Sequence, residues 1–129
     1  MEQNQTGEKT ILIVEDDTFM GSLLERKFKQ KNFQILRAMN VDEARKFIES
    51  GPVSLMLLDI ILPGTDGITF LKELKLNPQF KDIPVIITSN LGKEEEIEKG
   101  IAEGATDYIV KAHTTPGEIV EKVEKILGI

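Results

Sequence analysis

Five short, β-rich apolar runs recur along the chain: TILIV (10–14), FQIL (33–36), SLMLL (54–58), PVIIT (84–88) and DYIV (107–110). Each predicts a strand. Between them the apolar period changes from a run to a helical stripe. Phe19, Met20, Leu23, Leu24 and Phe28 follow a 3.6-residue repeat, with Asp17 or Thr18 as the cap. Asn40 and Glu43 resemble a capping box that opens a helix burying Ala44, Phe47 and Ile48. A third helix buries Ile68, Leu71 and Leu74 and must stop before Pro78. The fourth, KEEEIEKGIAEG, is highly charged and carries Gly100 near its end. A helical glycine costs about 0.5–1 kcal/mol, so this helix is expected to be the least stable. The last has Pro116 in its first turn and buries Ile119, Val120, Val123, Ile126 and Leu127. Strands alternating with helices, and apolar on both faces, predict an α/β fold: a five-stranded parallel sheet covered on each side.

In such sheets ligands gather beyond the carboxyl ends of the strands. Glu15, Asp16 and Asp17 follow the first predicted strand, and Asp59 follows the third, within the apolar stretch LMLLDIILPG. Thr88, Ser89 and Asn90 lie at the end of the fourth, and Lys111 after the fifth. Taken singly, each is an ordinary turn, cap or surface residue. Together they occupy one edge of one sheet. Converging carboxylates raise one another's pKa unless a cation compensates. Without a His or Cys cluster the ligands are hard oxygens, a set suited to Mg²⁺. A metal, an ammonium and a hydroxyl around one carboxylate make a site for placing a phosphoryl group on Asp59. The metal and Lys111 would stabilise the transferred charge.

Composition narrows the classes further. At 129 residues the chain is expected to be one domain, 10–129, after a polar, flexible tail over residues 1–9. The absence of cysteine removes disulfides and thiol chemistry. No apolar run approaches the roughly 20 residues that span a bilayer, and the polar start is unlike a signal peptide. A cytoplasmic location without membrane contact is expected. A formal charge of −6 argues against a phosphate-backbone partner, so no direct nucleic-acid binding is expected.

ILIVEDD, LLDIILPGTDG, PVIITSN and GATDYIVKA occur in order and at a familiar spacing. By them the chain resembles the receiver domain of two-component response regulators, over about residues 10 to 127. The resemblance implies a doubly wound, flavodoxin-like sheet of strand order 2-1-3-4-5 with five helices. Glu15 and Asp16 match the acidic pair, and Asp59 the phospho-accepting aspartate. Ser89 matches the switch hydroxyl, with Thr88 one residue early and assigned to the strand. Lys111 matches the phosphate-contacting lysine and Tyr108 the aromatic that moves with the switch. The Ile61 carbonyl matches the backbone metal ligand, so Mg²⁺ would be held by Asp16, Asp59 and Ile61, with Glu15 acting through water. Gly64 and Gly67, in the loop that closes the site, suit positive φ. One residue departs from the pattern: Ala112 stands where the family usually has proline, often after a cis peptide. His113 reads as a surface residue.

The resemblance implies a phosphorylation-controlled switch that takes its phosphoryl group from a phosphohistidine. The donor would be a sensor histidine kinase or a phosphotransfer protein. Output would be contact with a downstream protein, phosphorelay, or phosphorylation-dependent homodimerisation. It would not be an enzyme, beyond assisting its own phosphorylation and dephosphorylation. The chain ends within two residues of the last helical pattern, so a stand-alone receiver is expected. Three rivals fit less well. An aspartyl-nucleophile phosphohydrolase resembles DxD after its first strand, whereas here Ile61 stands two residues after an Asp59 that follows the third. A flavin site needs a phosphate loop where Glu15, Asp16 and Asp17 would repel phosphate. A degenerate receiver, acting as an unphosphorylated interaction module, would not need Asp16, Asp59, Ser89 and Lys111 all present.

Overall fold

The computed structural model describes residues 9–129. The predicted tail therefore lies, apart from Lys9, outside the described residues. The strands are β1 (Thr10–Val14), β2 (Gln34–Ala38), β3 (Leu55–Asp59), β4 (Val85–Ser89) and β5 (Asp107–Val110). The helices are α1 (Thr18–Gln30), α2 (Val41–Ser50), α3 (Gly67–Leu76), α4 (Glu94–Ala102) and α5 (Pro116–Leu127). All four strand pairings are parallel, and the sheet order is β2-β1-β3-β4-β5. The expected doubly wound architecture is the one found.

Alternation along the strands divides the core into two layers. Ile11, Ile13, Leu55, Leu57, Ile86 and Ile109 pack against Leu24 and Phe28 of α1 and Ile119, Val120 and Val123 of α5. Leu12, Val14, Met56, Leu58, Val85 and Ile87 face α2 and α3, with Ile97 of α4 against the same layer. Each aliphatic side chain buried this fully contributes about 1.5–3 kcal/mol. Because both faces are covered, every residue of β3 is buried, Asp59 included.

Local chemistry fixes the helix starts. The Asp17 carboxylate accepts from the amides of Phe19 and Met20, and Asp66 from that of Thr69. Asn40 accepts from Glu43, but the Glu43 carboxylate reaches the amide of Met39 rather than that of Asn40. The anticipated capping box is thus only half formed.

Several expectations need correction. β3 and β4 each begin and end one residue later than predicted, so Asp59 and Ser89 are the last residues of their strands. β2 starts at Gln34 and runs to Ala38, in register with β1 from Thr10↔Gln34 to Val14↔Ala38. Phe33 instead turns inward, its ring edge-on to that of Phe28 at 5.2 Å, after Asn32 at φ 67°. Phe19 leaves the apolar stripe and is 72% exposed, because Gly21, Leu24 and Phe28 define the buried face of α1. Gly100 does lie near the end of α4, as expected, and is its buried residue.

Among the described residues, no helix is long and apolar enough to cross a membrane.

Candidate functional site

Parallel pairing brings the C-terminal ends of β1, β3, β4 and β5 to one edge. Beyond β1, Glu15 is tied into the fold by its amide, which donates to the Ala38 carbonyl at 2.9 Å. Its Oε2 accepts from the Asp17 amide at 3.1 Å, so the residue that caps α1 also aims the Glu15 side chain. Asp59 accepts from the Ile61 amide on Oδ1 at 3.0 Å, which turns the chain sharply out of β3.

Lys111, the first residue after β5, closes this group. Its ammonium donates to Glu15 Oε1 at 2.7 Å and to Asp59 Oδ2 at 2.9 Å. The no-proline departure at Ala112 does not prevent this. The Lys111–Ala112 peptide is trans, and a short 3₁₀ turn over Lys111–His113 carries the lysine into the pocket. Carboxylate oxygens of Glu15, Asp16 and Asp59 all lie within 4.8 Å of one another, with Asp16 exposed and the other two buried. Glu15 and Asp59 are 4% and 5% exposed, which for unpaired carboxylates would be prohibitive.

The ionisation pattern follows. Burial pushes the Glu15 carboxyl above its ordinary value, helped by the charge of Asp59 and opposed by Lys111 and the Asp17 amide. Burial would lower the Lys111 ammonium, but its bonds to Glu15 and Asp59 outweigh that and hold it above its usual value. Three acids against one lysine give the pocket a formal charge of −2. A net negative cluster of this kind attracts a further cation. The donors are all carboxylate oxygens without His or Cys, so the residues fit a hard divalent ion such as Mg²⁺.

A second group sits one strand away. Ser89 is fully buried, and its Oγ accepts from the Leu91 amide at 3.1 Å. Thr88 is strand, as predicted, paired with Asp59 on one side and Ile109 on the other. Tyr108 points inward at 8% exposure, and its hydroxyl donates to the Leu91 carbonyl at 2.6 Å. Burial pushes its phenol up, opposed by a hydrogen bond with Ser89. His113 is exposed, as expected.

The closing loop contains two glycines with different reasons. Gly64 has the expected positive φ, 82°. Gly67 does not, contrary to expectation. Its requirement is space: a Cβ there would lie 2.5 Å from the Asp59 carbonyl oxygen and 2.5 Å from Ile60 Cα. Its amide donates to the Ile60 carbonyl at 3.0 Å, drawing the start of α3 onto the end of β3.

Two features escaped sequence reasoning: the direct Glu15–Lys111 bond and the bridge that the Leu91 backbone makes between Ser89 and Tyr108. Leu91 is held through its backbone, so its side-chain type carries no hint of it.

Comparison with known proteins agrees with this geometry. The family model "Response regulator receiver domain" matches residues 11–124. The transcriptional regulatory protein BaeR of Escherichia coli O6:H1 is 37% identical over 119 residues, covering 91% of this chain and 47% of that protein. ResD of Bacillus subtilis is 36% identical over 125 residues, covering 96% and 50%. The chain thus spans about half the length of the curated relatives it matches. A two-component response regulator from Clostridium difficile superposes with TM-score 0.86 at 27% identity, covering 93% of this chain and 96% of that one. A CheY-like receiver domain protein from Methanospirillum hungatei gives TM-score 0.82 at 28% identity, with 93% and 94% covered. On fold, site and matched motifs together, the chain belongs to the response regulator receiver domain family of two-component signalling.

Proposed function

We propose that this protein is a signalling switch controlled by phosphorylation of Asp59. One observation carries the reading. Asp59 ends a doubly buried strand with the Ile61 amide on one oxygen, Lys111 on the other, and two further acids within 4.8 Å. A carboxylate so held is fixed in orientation and cannot drift from an incoming phosphoryl group.

In the transfer, a carboxylate oxygen of Asp59 attacks the phosphorus of a phosphohistidine. The O–P bond forms, the P–N bond breaks, and the electron pair returns to the imidazole. Lys111 follows the developing charge onto the phosphoryl oxygens, and Ser89 supplies a hydroxyl to the same group. Asp16, Asp59 and the Ile61 carbonyl would hold Mg²⁺, with Glu15 acting through water. When bound, the ion supplies neutralisation of charge on the phosphoryl oxygens.

Recruitment of Ser89 then disturbs its bond to Leu91, and with it the Tyr108 hydroxyl on the same residue. The surface of α4, β5 and α5 changes in consequence, which alters contact with a downstream protein or a second copy. A bias of a few kcal/mol suffices to move such an element. The donor is a sensor histidine kinase or phosphotransfer protein, and the setting is cytoplasmic. Beryllofluoride mimics an aspartyl phosphate, so the test is its Mg²⁺-dependent binding. Saturable binding by the unaltered protein and none by Asp59→Asn is the expected result; equal binding by both would refute the assignment.

A further inference from the structure

Gly100 stands in the last turn of α4, and a helical glycine costs about 0.5–1 kcal/mol relative to alanine. Its φ is not positive, so backbone conformation does not require it. Contact does. A Cβ at this position would lie 2.6 Å from Ile87 Cδ1 and 3.1 and 3.3 Å from Cδ2 and Cε2 of the Tyr108 ring. Ile87 is fully buried in β4 and Tyr108 is nearly so in β5, which leaves little room for either to retreat. The backbone of α4 therefore rests directly on the inward-pointing ring.

We propose that Gly100 is the contact through which α4 reads Tyr108. Without a side chain at this position, the helix stays docked while the ring points inward with its hydroxyl on Leu91. With one, the docked helix and the inward ring compete for the same space. The regulatory meaning rests on the Asp59 switch proposed above, which it extends by one step, from Tyr108 to the helix that faces a partner. Gly100 touches no reacting atom and acts as a positioning residue.

The chain contains one tyrosine and no tryptophan, so tyrosine emission reports on Tyr108 alone. Acrylamide quenching of that emission in the full, unphosphorylated chain measures whether the ring is protected. Four proteins are compared: unaltered, Ile87→Val, Gly100→Ala, and the double variant. Ile87→Val removes Cδ1, the atom a new Cβ meets first, but leaves the Tyr108 contact in place. The unaltered protein and Ile87→Val should be protected. In Gly100→Ala and the double variant, the quenching constant should rise toward that of free tyrosine. A simple packing defect would instead be repaired by Ile87→Val. A protected ring in the double variant overturns the proposal, whatever the single variant does. Where Gly100→Ala alone fails to fold, the double variant, with the Ile87 clash removed, carries the comparison. Quenching needs no phosphoryl group, so its failure counts against the Gly100 contact. Absence of beryllofluoride binding by the unaltered protein counts against the Asp59 reading.

Discussion

The Tyr108 hydroxyl donates to the carbonyl of Leu91 at 2.6 Å, while the amide of the same Leu91 donates to Ser89 Oγ at 3.1 Å. One backbone unit is thus held by the last residue of β4 and by the ring on which α4 rests. Tyr108→Phe keeps the buried ring and removes the donor. It should cost about 0.5–1.5 kcal/mol, seen as a lower denaturant midpoint at unchanged slope. Ser89→Ala should leave Asp59 able to accept a phosphoryl group but break its coupling to partner binding or dimerisation. Normal coupling in that variant, measured by sedimentation or pull-down with and without phosphodonor, would exclude the route.

Asp16 is the one exposed acid of the cluster, so its removal should be nearly silent for stability. Surface substitutions of this kind usually stay within about 0.5 kcal/mol. Asp16→Ala should nonetheless weaken Mg²⁺ binding and slow phosphorylation by a small-molecule donor. Unchanged metal affinity and rate together would show that the cluster does not bind the ion.

Loss of the phosphoryl group requires water in line with the acyl phosphate. Ile61 and Leu91 follow Asp59 and Ser89 by two residues each, and neither side chain can orient or activate water. Ile61 is 57% exposed, so it can be replaced without disturbing the core. Phospho-Asp59 is expected to persist for many minutes or longer rather than seconds. Ile61→Asn should shorten it. A lifetime of seconds in the unaltered protein, with Mg²⁺ and no phosphatase, would contradict this.

Acid should weaken the α2–α3 contact. Arg45 donates to both oxygens of Glu73, at 2.8 and 2.7 Å, and this holds the Glu73 carboxyl below its usual value of 4.5. A depressed carboxyl contributes stability that is present above the unfolded pKa and is lost as pH falls through the folded one. Glu73 is 46% exposed on its side chain, so screening limits the effect to about 0.2–1 kcal/mol. The stability difference between the unaltered protein and Glu73→Gln should therefore hold above pH 4.5 and shrink below it. A difference independent of pH would assign the contact to packing alone.

Architecture was legible because β1, β3 and β4 are covered on both faces, so each appears as an apolar run. The site was legible for a related reason: Asp59 and Lys111 stand at the ends of such runs, where a charge is conspicuous. β2 was misplaced because it is an edge strand carrying Arg37, whose guanidinium bonds Ser22 and Glu25 of α1. Periodicity cannot distinguish such a strand from a loop. Gly67 and Gly100 were read from backbone preference, whereas both answer to neighbours distant in sequence. Leu91 acts through its peptide group, which all residues share.

The central claim is that Asp59 carries the phosphoryl group. Intact-mass spectrometry after incubation with acetyl phosphate and Mg²⁺, or with a phosphorylated histidine kinase, tests it most directly. The unaltered protein should gain one phosphoryl group that hydroxylamine removes, and Asp59→Asn none. Undiminished incorporation into Asp59→Asn, or none into the unaltered protein with either donor, would contradict the account.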